Sequence, residues 1–457
     1  MTSDPETAVA PVPGGSEPGN PAADGASGVS AAEALFDDLG ATPHPERTPG
    51  LLPKRRRRHP AVWIPVFVVL ALMAGYSGTT LFWSADAIEP TISTVAVTPV
   101  PAAKAEMRWP AKGAAAVAVA GYGPSVASST RQLSMASITK LVTVLTVLQR
   151  KPLTSGEGPR YRFTAKDRAA YHHYLERNES ALDVPVGGSL TEYQMFQGIL
   201  IGSASNYADR IVKDTFRTKA AFVAAARQLL QRNGITGITI VDPTGFERGN
   251  TATPAALLEL ATLAMKDATI AGIVVSPQVI LPGAGSVTNT NGLIRDEGVN
   301  GLKTGTLVGY DLLAAKTIQV DAVTVQLYAV SLYQPTEHAR NQTTRNLFAQ
   351  LQSQLQVKPT VAKGTPVGEV RTVWGERVPV VAGRDAAVVL WNGATAQVST
   401  TLSLGDRRAA GAVVGSLQAT GPLNSTKVDA VLGRDVAPPS PWWRLTHPLE
   451  LWGLQKH

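Results

Sequence analysis

Hydrophobic and polar positions divide the chain into blocks of different texture. Residues 1–53 are rich in Pro, Gly, Ala, Ser and acidic side chains with few bulky apolar groups, a composition that cannot bury enough surface to fold and predicts a disordered tail. Ala61 to Trp83 is uncharged and mostly apolar, long enough for a membrane-crossing helix, which needs about 20 such residues. Residues 85–107 are rich in Pro, Thr and Val with little periodicity and predict an extended linker. The run Ala114–Ala120, closed by Gly121-Tyr122-Gly123, predicts a buried strand and turn.

Helical spacing then takes over. A helix is predicted from about Ser137 to Gln149. In Thr191–Ile201, Tyr193, Phe196, Ile199 and Leu200 form one stripe. Lys219–Arg232 ends at Asn233-Gly234, a C-terminal stop signal. Thr253-Pro254 opens another helix with an N-cap and a first-turn proline. Leu312–Val320 and Val323–Tyr333 are rich in β-formers around Asp321-Ala322 and predict a hairpin, followed by a helix from Glu337 to Gln354. From about Lys358 the chain becomes short Val-rich segments punctuated by Gly. Gly364–Val370 and Gly411–Leu417 share the pattern G-x-x-V-G-x-[VL], which suggests two similar hairpin entries in an all-β module. The expectation is an α/β (α+β) chain with a layered domain over 108–356, a β-rich module over 357–436 and a Trp-rich tail over 437–457, preceded by a basic flank and span over 54–84. The tail, with Trp442, Trp443 and Trp452 beside Arg444, suits either a membrane interface or docking on the β module.

The formal net charge is +7, which raises nucleic acid as a partner. Much of that charge is the run Lys54–Arg58, which abuts the apolar span, while Asp86 and Glu89 follow it. This asymmetry predicts a cytoplasmic N-terminus and an external remainder in a cell membrane, with no nucleic-acid partner. The span is longer than the h-region of a cleaved signal peptide and a long segment precedes it, which argues for a retained anchor. There is no cysteine, so thiol catalysis, disulfides and Cys-based metal sites are excluded. The seven histidines are scattered without metal-ligand spacing, and no metal site is expected.

Candidate chemistry begins at Ser137-Ile138-Thr139-Lys140. A Ser and a Lys three apart share a helix face, so Lys140 can act as the base for a Ser137 nucleophile. Alone, this tetrapeptide is weak evidence, and Ser137 could be an N-cap. Two further elements strengthen it. Ser203-Ala204-Ser205-Asn206 follows the Thr191–Ile201 helix, and Gly301-Leu302-Lys303-Thr304-Gly305-Thr306 precedes the strand pair.

S-x-x-K, a Ser/Asn-bearing turn and K-T-G, in this order, resemble the signature of penicillin-binding proteins. The flanks are similar to those of the D-alanyl-D-alanine carboxypeptidases of low molecular mass: Met135-Ala136, Asn206-Tyr207-Ala208-Asp209, Asn289-Thr290-Asn291 and Gly298-Val299-Asn300-Gly301. The resemblance covers about Met107 to Gln356. It implies a β-lactamase/transpeptidase-like domain with a central antiparallel sheet and helices, with no metal and no cofactor. It implies that Ser137 attacks a carbonyl, that Lys140 accepts its proton, with Lys303 as the like charge that keeps Lys140 neutral, and that Ser203 relays a proton to the leaving amine. Ser205 and Asn206 would face the substrate. Lys303 and Thr304 would bind its C-terminal carboxylate, Gly305 would let it lie close to the strand, and the N–H groups of Ser137 and Thr306 would form an oxyanion hole. The implied partners are peptidoglycan stem peptides ending in D-Ala-D-Ala, β-lactam antibiotics as covalent inhibitors, and the cytoplasmic membrane.

One position departs from the pattern. The family's second element is S-x-N, and Ser205 stands where its Asn is expected. Ser is shorter and has a single donor, which favours, as an alternative, a catalytically impaired homologue that binds or scaffolds peptidoglycan. A β-lactamase is a further alternative, although no convincing deacylation element of the E-x-x-L-N type is evident. On this reading Ser205→Asn is expected to raise the rate of acylation by a labelled β-lactam; an unchanged or lower rate overturns the assignment of Ser203-Ala204-Ser205 as the second element.

Overall fold

The computed structural model describes residues 63–85, 88–153, 156–355 and 357–455. The polar N-terminal tail, the basic run Lys54–Arg58 and Asp86 lie outside the described residues. Trp63–Phe82 is one helix of 20 residues, long and apolar enough to cross a membrane. Its apolar side chains are largely exposed, from Trp63 to Phe82.

A five-stranded antiparallel sheet forms the centre of the larger domain. Its order is Val299–Thr306, Tyr310–Val320, Val323–Gln334, Ala114–Val119 and Val126–Ala127. The predicted hairpin is its middle, and Asp321 turns it with φ of 51°. Period-2 alternation sends neighbouring side chains to opposite faces. Ala115, Val117, Leu312, Ala314, Leu327 and Ala329 pack on one face with Leu347, Phe348 and Leu351 of the helix Glu337–Gln354. Ala116, Leu313, Ala315, Tyr328 and Val330 point to the other, into a core shared with the remaining helices. Both faces are therefore apolar, and the central strands read as continuous apolar runs rather than as alternating ones.

The helix Thr139–Arg150 lies in that larger core with every residue from Thr139 to Leu148 buried. Glu192–Leu200, capped by Thr191, and Ser205–Phe216 pack beside it. Lys219–Arg232 has the bounds its end signals predict, and Pro254–Lys266 starts at the predicted proline after its Thr253 cap. Ala165–Glu176 and Ser205–Phe216 are helices that the periodicity did not single out. The first is amphipathic only weakly and buries no residue, so it leaves little hydrophobic trace.

The C-terminal region is a second antiparallel sheet, ordered Thr91–Thr94, Pro366–Arg371, Arg377–Ala382, Ser425–Leu432, Val413–Thr420 and Gln397–Leu402. The two G-x-x-V-G segments run into two of these strands, Pro366–Arg371 and Val413–Thr420. One expectation is corrected here. The stretch after the apolar helix is not a free linker: Thr91–Thr94 is the edge strand of this sheet, paired with Gly368–Arg371. Val100 and Ala102 hydrogen-bond onward to Thr360 and Ala394. A segment that completes another sheet's edge needs no periodicity of its own, because its partners supply the order.

Two aromatic contacts tie these parts together. Tyr122 donates to the Val389 carbonyl at 2.5 Å, and its ring meets the buried Trp391 edge-on at 6.2 Å. At the C-terminus, Pro441–Thr446 is a short helix whose Arg444 donates to the Trp83 carbonyl at 2.6 Å, while the Leu445 carbonyl accepts from Tyr76 at 2.6 Å. Trp443 stacks edge-on with Trp374 of the β sheet. The tail thus docks on protein, and Trp442 is left exposed. Trp391→Ala removes the largest fully buried side chain and is expected to cost about 3–5 kcal/mol, read as a lowered denaturant midpoint; a loss under about 1 kcal/mol contradicts the packing described here.

Candidate active site

The site lies where the first turn of the Thr139–Arg150 helix meets the edge strand Val299–Thr306. Ser137 is in a 3-10 turn, Ala136–Ile138, that leads directly into that helix. The turn is strained: Ala136 has φ of 44°, a left-handed conformation uncommon for a residue with a Cβ. Gly245 makes room for it. A Cβ on Gly245, which has φ of 82°, would stand 1.9 Å from the Ala136 carbonyl oxygen, so no other residue fits. Gly305 has a related role. Its bare face lies against Met135 and Ala136, where a Cβ would come within 3.1 Å of the Met135 carbonyl. Gly305 thus lets the strand approach the nucleophile turn, and it also lines the cavity beside Ser137.

Lys140 is fully buried, and its Nζ donates to Ser137 Oγ at 2.8 Å and to the Thr244 carbonyl at 2.7 Å. Burial lowers its pKa from 10.5 to about 8, against the opposing pull of Asp242, Glu179 and Asp209. Thr244 is held by Asp242. One carboxylate oxygen accepts from the Thr244 and Gly245 N–H groups and the Thr244 hydroxyl, and the other from Glu247 N–H and the Asn250 amide. Asp242-Pro243-Thr244-Gly245 is thus turn chemistry that shapes the site, as its composition suggests.

Lys303 is also buried, and its Nζ donates to the Thr304 carbonyl at 3.1 Å. Its pKa lies well below the ordinary lysine value, through burial first, then the nearby Lys140 and Arg340 cations. The like-charge effect expected on Lys140 therefore falls on Lys303, and desolvation is what depresses Lys140. Thr304 Oγ1 lies 2.7 Å from Thr290 Oγ1. Asn289 and Asn291 bond to the backbone of this loop, which fixes Thr290 there.

Ser137, Ser203, Thr304, Gly305 and Thr306 line one cavity of 210 Å³, together with Ser180, Thr290, Tyr310 and Arg340. An adjoining cleft of 350 Å³ runs from Ser137 past Glu179, Ser205 and Thr244 to Arg177, Phe246 and Leu307. Ser203, with φ of 61°, sits in the tight turn before the Ser205–Phe216 helix. Asn206 is the residue that the fold does not deliver. Its amide donates to the Leu182 carbonyl at 2.7 Å and accepts from Leu182 N–H at 3.2 Å. One step further along the helix, it braces a loop instead of facing substrate.

Ser180, Thr290 and Arg340 were not singled out from the sequence. Arg340 comes from the helix Glu337–Gln354, is 3% exposed and pairs with Glu337 at 2.7 Å. A buried arginine on an otherwise polar helix is invisible to patterning because its burial follows from the helix's position on the sheet.

The family model described as D-alanyl-D-alanine carboxypeptidase matches residues 126–331. The match contains Ser137, Lys140, Ser203 and Lys303, and the carboxypeptidase domain is a serine-type hydrolase. Solved structures that align with the chain include a peptidoglycan synthesis regulatory factor of Streptococcus pneumoniae (20% identity, 71% of this chain and 99% of that one, TM-score 0.49). They also include penicillin binding protein 5 of Haemophilus influenzae (15%, 73% and 100%, TM-score 0.49) and a D-alanyl-D-alanine carboxypeptidase of Mycobacterium tuberculosis (19%, 56% and 96%, TM-score 0.46). No curated protein matches the chain.

The pKa of Lys140 gives the carboxypeptidase domain a pH dependence. With Lys140 as the base for Ser137, the amine has to be neutral to act, so acylation is expected to rise with pH through about 8 and level off above it. At pH about 7 roughly a tenth of the enzyme has the neutral amine. Acylation rates of a labelled penicillin across the neutral range check this; a rate that is flat or falls with rising pH contradicts it.

Proposed function

We propose that this chain is a membrane-anchored serine carboxypeptidase that removes the terminal D-alanine from peptidoglycan stem peptides and is acylated by β-lactams. The observation that carries the reading is the contact between Lys140 Nζ and Ser137 Oγ at 2.8 Å, with Arg340 lining the cavity beside Ser137 and Lys303 buried behind it next to Thr304.

In this mechanism neutral Lys140 takes the Ser137 proton as Oγ adds to the carbonyl of the penultimate D-alanine. The backbone N–H groups of Ser137 and Thr306 stabilise the oxyanion, an interaction whose loss typically costs 10²–10³ in rate. The tetrahedral intermediate collapses with loss of the terminal D-alanine, whose amine receives the proton through Ser203. Lys303, Thr304 and Arg340 hold the C-terminal carboxylate, by charge from the two cations and by the Thr304 hydroxyl. Water then frees the acyl group from Ser137. A β-lactam carries a carboxylate and a reactive amide in a comparable relation, so it acylates the same serine.

Anchoring is supported by the helix Trp63–Phe82, and its orientation by the Lys54–Arg58 run just before it. The N-terminus is cytoplasmic, and the hydrolase domain over 108–356 and the β-rich module over 357–436 work on the wall side of the membrane. A second reading, an impaired homologue that binds peptidoglycan without turnover, is favoured by Ser205, because Lys140 has no hydrogen bond from that position.

Labelling with a fluorescent penicillin separates these readings. The parent should be labelled and should release D-alanine from a mimic ending in D-Ala-D-Ala, and Ser137→Ala should lose both. An unlabelled parent that still binds peptidoglycan sinks the enzymatic reading.

A further inference from the structure

Glu179 is a carboxylate that the mechanism above leaves unused. It is 5% exposed, yet it lines the same cleft as Ser137 and Ser205. Four charged or polar neighbours act on it: Arg177, Asp209, Lys140 and the Ser205 hydroxyl. Arg177 Nη2 pairs with Oε1 at 2.6 Å. A buried carboxylate that lines a cleft beside a candidate nucleophile, held by one ion pair and one hydroxyl, is a candidate for function.

Ser205 bears on that function: it lines the same cleft, its hydroxyl steadies the carboxylate, and it is shorter than the Asn of the family pattern. Lys140 is already committed to Ser137 and Thr244 on the helix side of the nucleophile. Glu179 reaches the cleft from the segment before the Glu192–Leu200 helix. Hydrolysis of the acyl-enzyme needs a water and an acceptor for its proton on the open side of Ser137.

We propose that Glu179 is the general base that activates the hydrolytic water for deacylation, with Ser205 in place of the usual Asn to make room for that water. The proposal rests on the acyl-enzyme at Ser137 put forward above. Water gives one proton to the Glu179 carboxylate while its oxygen bonds to the acyl carbon. The tetrahedral intermediate then breaks its bond to Ser137 Oγ, and the proton held by Glu179 passes to that oxygen. The product leaves as the acid, with Ser137 again a hydroxyl, Glu179 a carboxylate and Lys140 a neutral amine. Burial raises the Glu179 carboxyl above its ordinary value, which makes it a stronger base than an exposed glutamate.

The test is Glu179→Gln in the full chain, with acylation and deacylation measured separately on a stem-peptide mimic ending in D-Ala-D-Ala. The variant should label with fluorescent penicillin within about threefold of the parent rate, which also reports its folding. It should release one equivalent of D-alanine in a burst and then turn over about 100-fold more slowly, with the peptidyl-enzyme visible by mass spectrometry. Burst and steady state falling together, or steady state unchanged, overturns the role of Glu179 while leaving Ser137 in place. A parent that neither labels nor releases D-alanine overturns both. Glu179→Asp, which keeps a carboxylate but shortens its reach, should recover part of the lost turnover; recovery no better than Gln counts against a base and overturns the proposal.

Discussion

The burial of Lys140 is the constraint on which the rest of the site depends. An amine sealed in the core cannot keep its charge at the ordinary lysine pKa, and this protein lowers that value to about 8 while giving the group two acceptors. Neither acceptor is free to move. Ser137 is fixed by the strained turn at Ala136, and Thr244 by five hydrogen bonds to Asp242 and its neighbours. Gly245 then has to be a glycine, and Gly305 keeps a tight approach open, because the nucleophile turn lies against both backbones. The order of cause runs from a buried base to a shaped loop to the glycines that permit it.

The charges are graded along the cleft. Burial holds both Lys303 and Arg340 below their usual pKa values, and the nearby Lys140 and Arg340 cations lower Lys303 further. A cluster of cations that destabilises itself gains most from an anion, which is what a peptide C-terminus or the carboxylate of a β-lactam provides. The carboxylates Glu179, Asp209 and Asp242 are all within electrostatic reach of Lys140. Lys140 feels the three carboxylates, and Lys303 feels Lys140. The proton affinity of Lys140 is thus a balance of burial against three anions, and Ser205 bears on that balance through Glu179.

Around the site, the architecture separates stiffness from attachment. Both faces of the central sheet are covered, so the strand that bears Lys303 cannot shift without disturbing two cores. Attachment is left to edges: a short strand closes the second sheet, Tyr122 and Trp391 join the sheets, and Arg444 holds the C-terminal helix to the end of the apolar helix. Aliphatic packing joins the sheets too: Val389, Val357 and Leu423 belong to the same cluster as Val117, Leu347 and Phe348.

The sequence by itself determined the local parts. It gave the bounds of Lys219–Arg232 and Glu337–Gln354, the hairpin around Asp321, the apolar helix and the S-x-x-K and K-T-G elements, because each depends on neighbours a few positions away: caps, periodicity and turn residues. It also marked Ser205 as a departure. The tertiary structure decided what lies between distant segments. Arg340 joins Lys303 because a helix docks on one sheet face; Asn206 turns to Leu182 because a helix starts one residue earlier; Thr91–Thr94 becomes a strand because another sheet lacks an edge. Glu179 reads as a charge in a polar loop until folding buries it beside Ser205. Spacing along a chain fixes which face a side chain takes, but burial and the company of charges depend on which elements meet, and those decide what Lys140 and Glu179 can do.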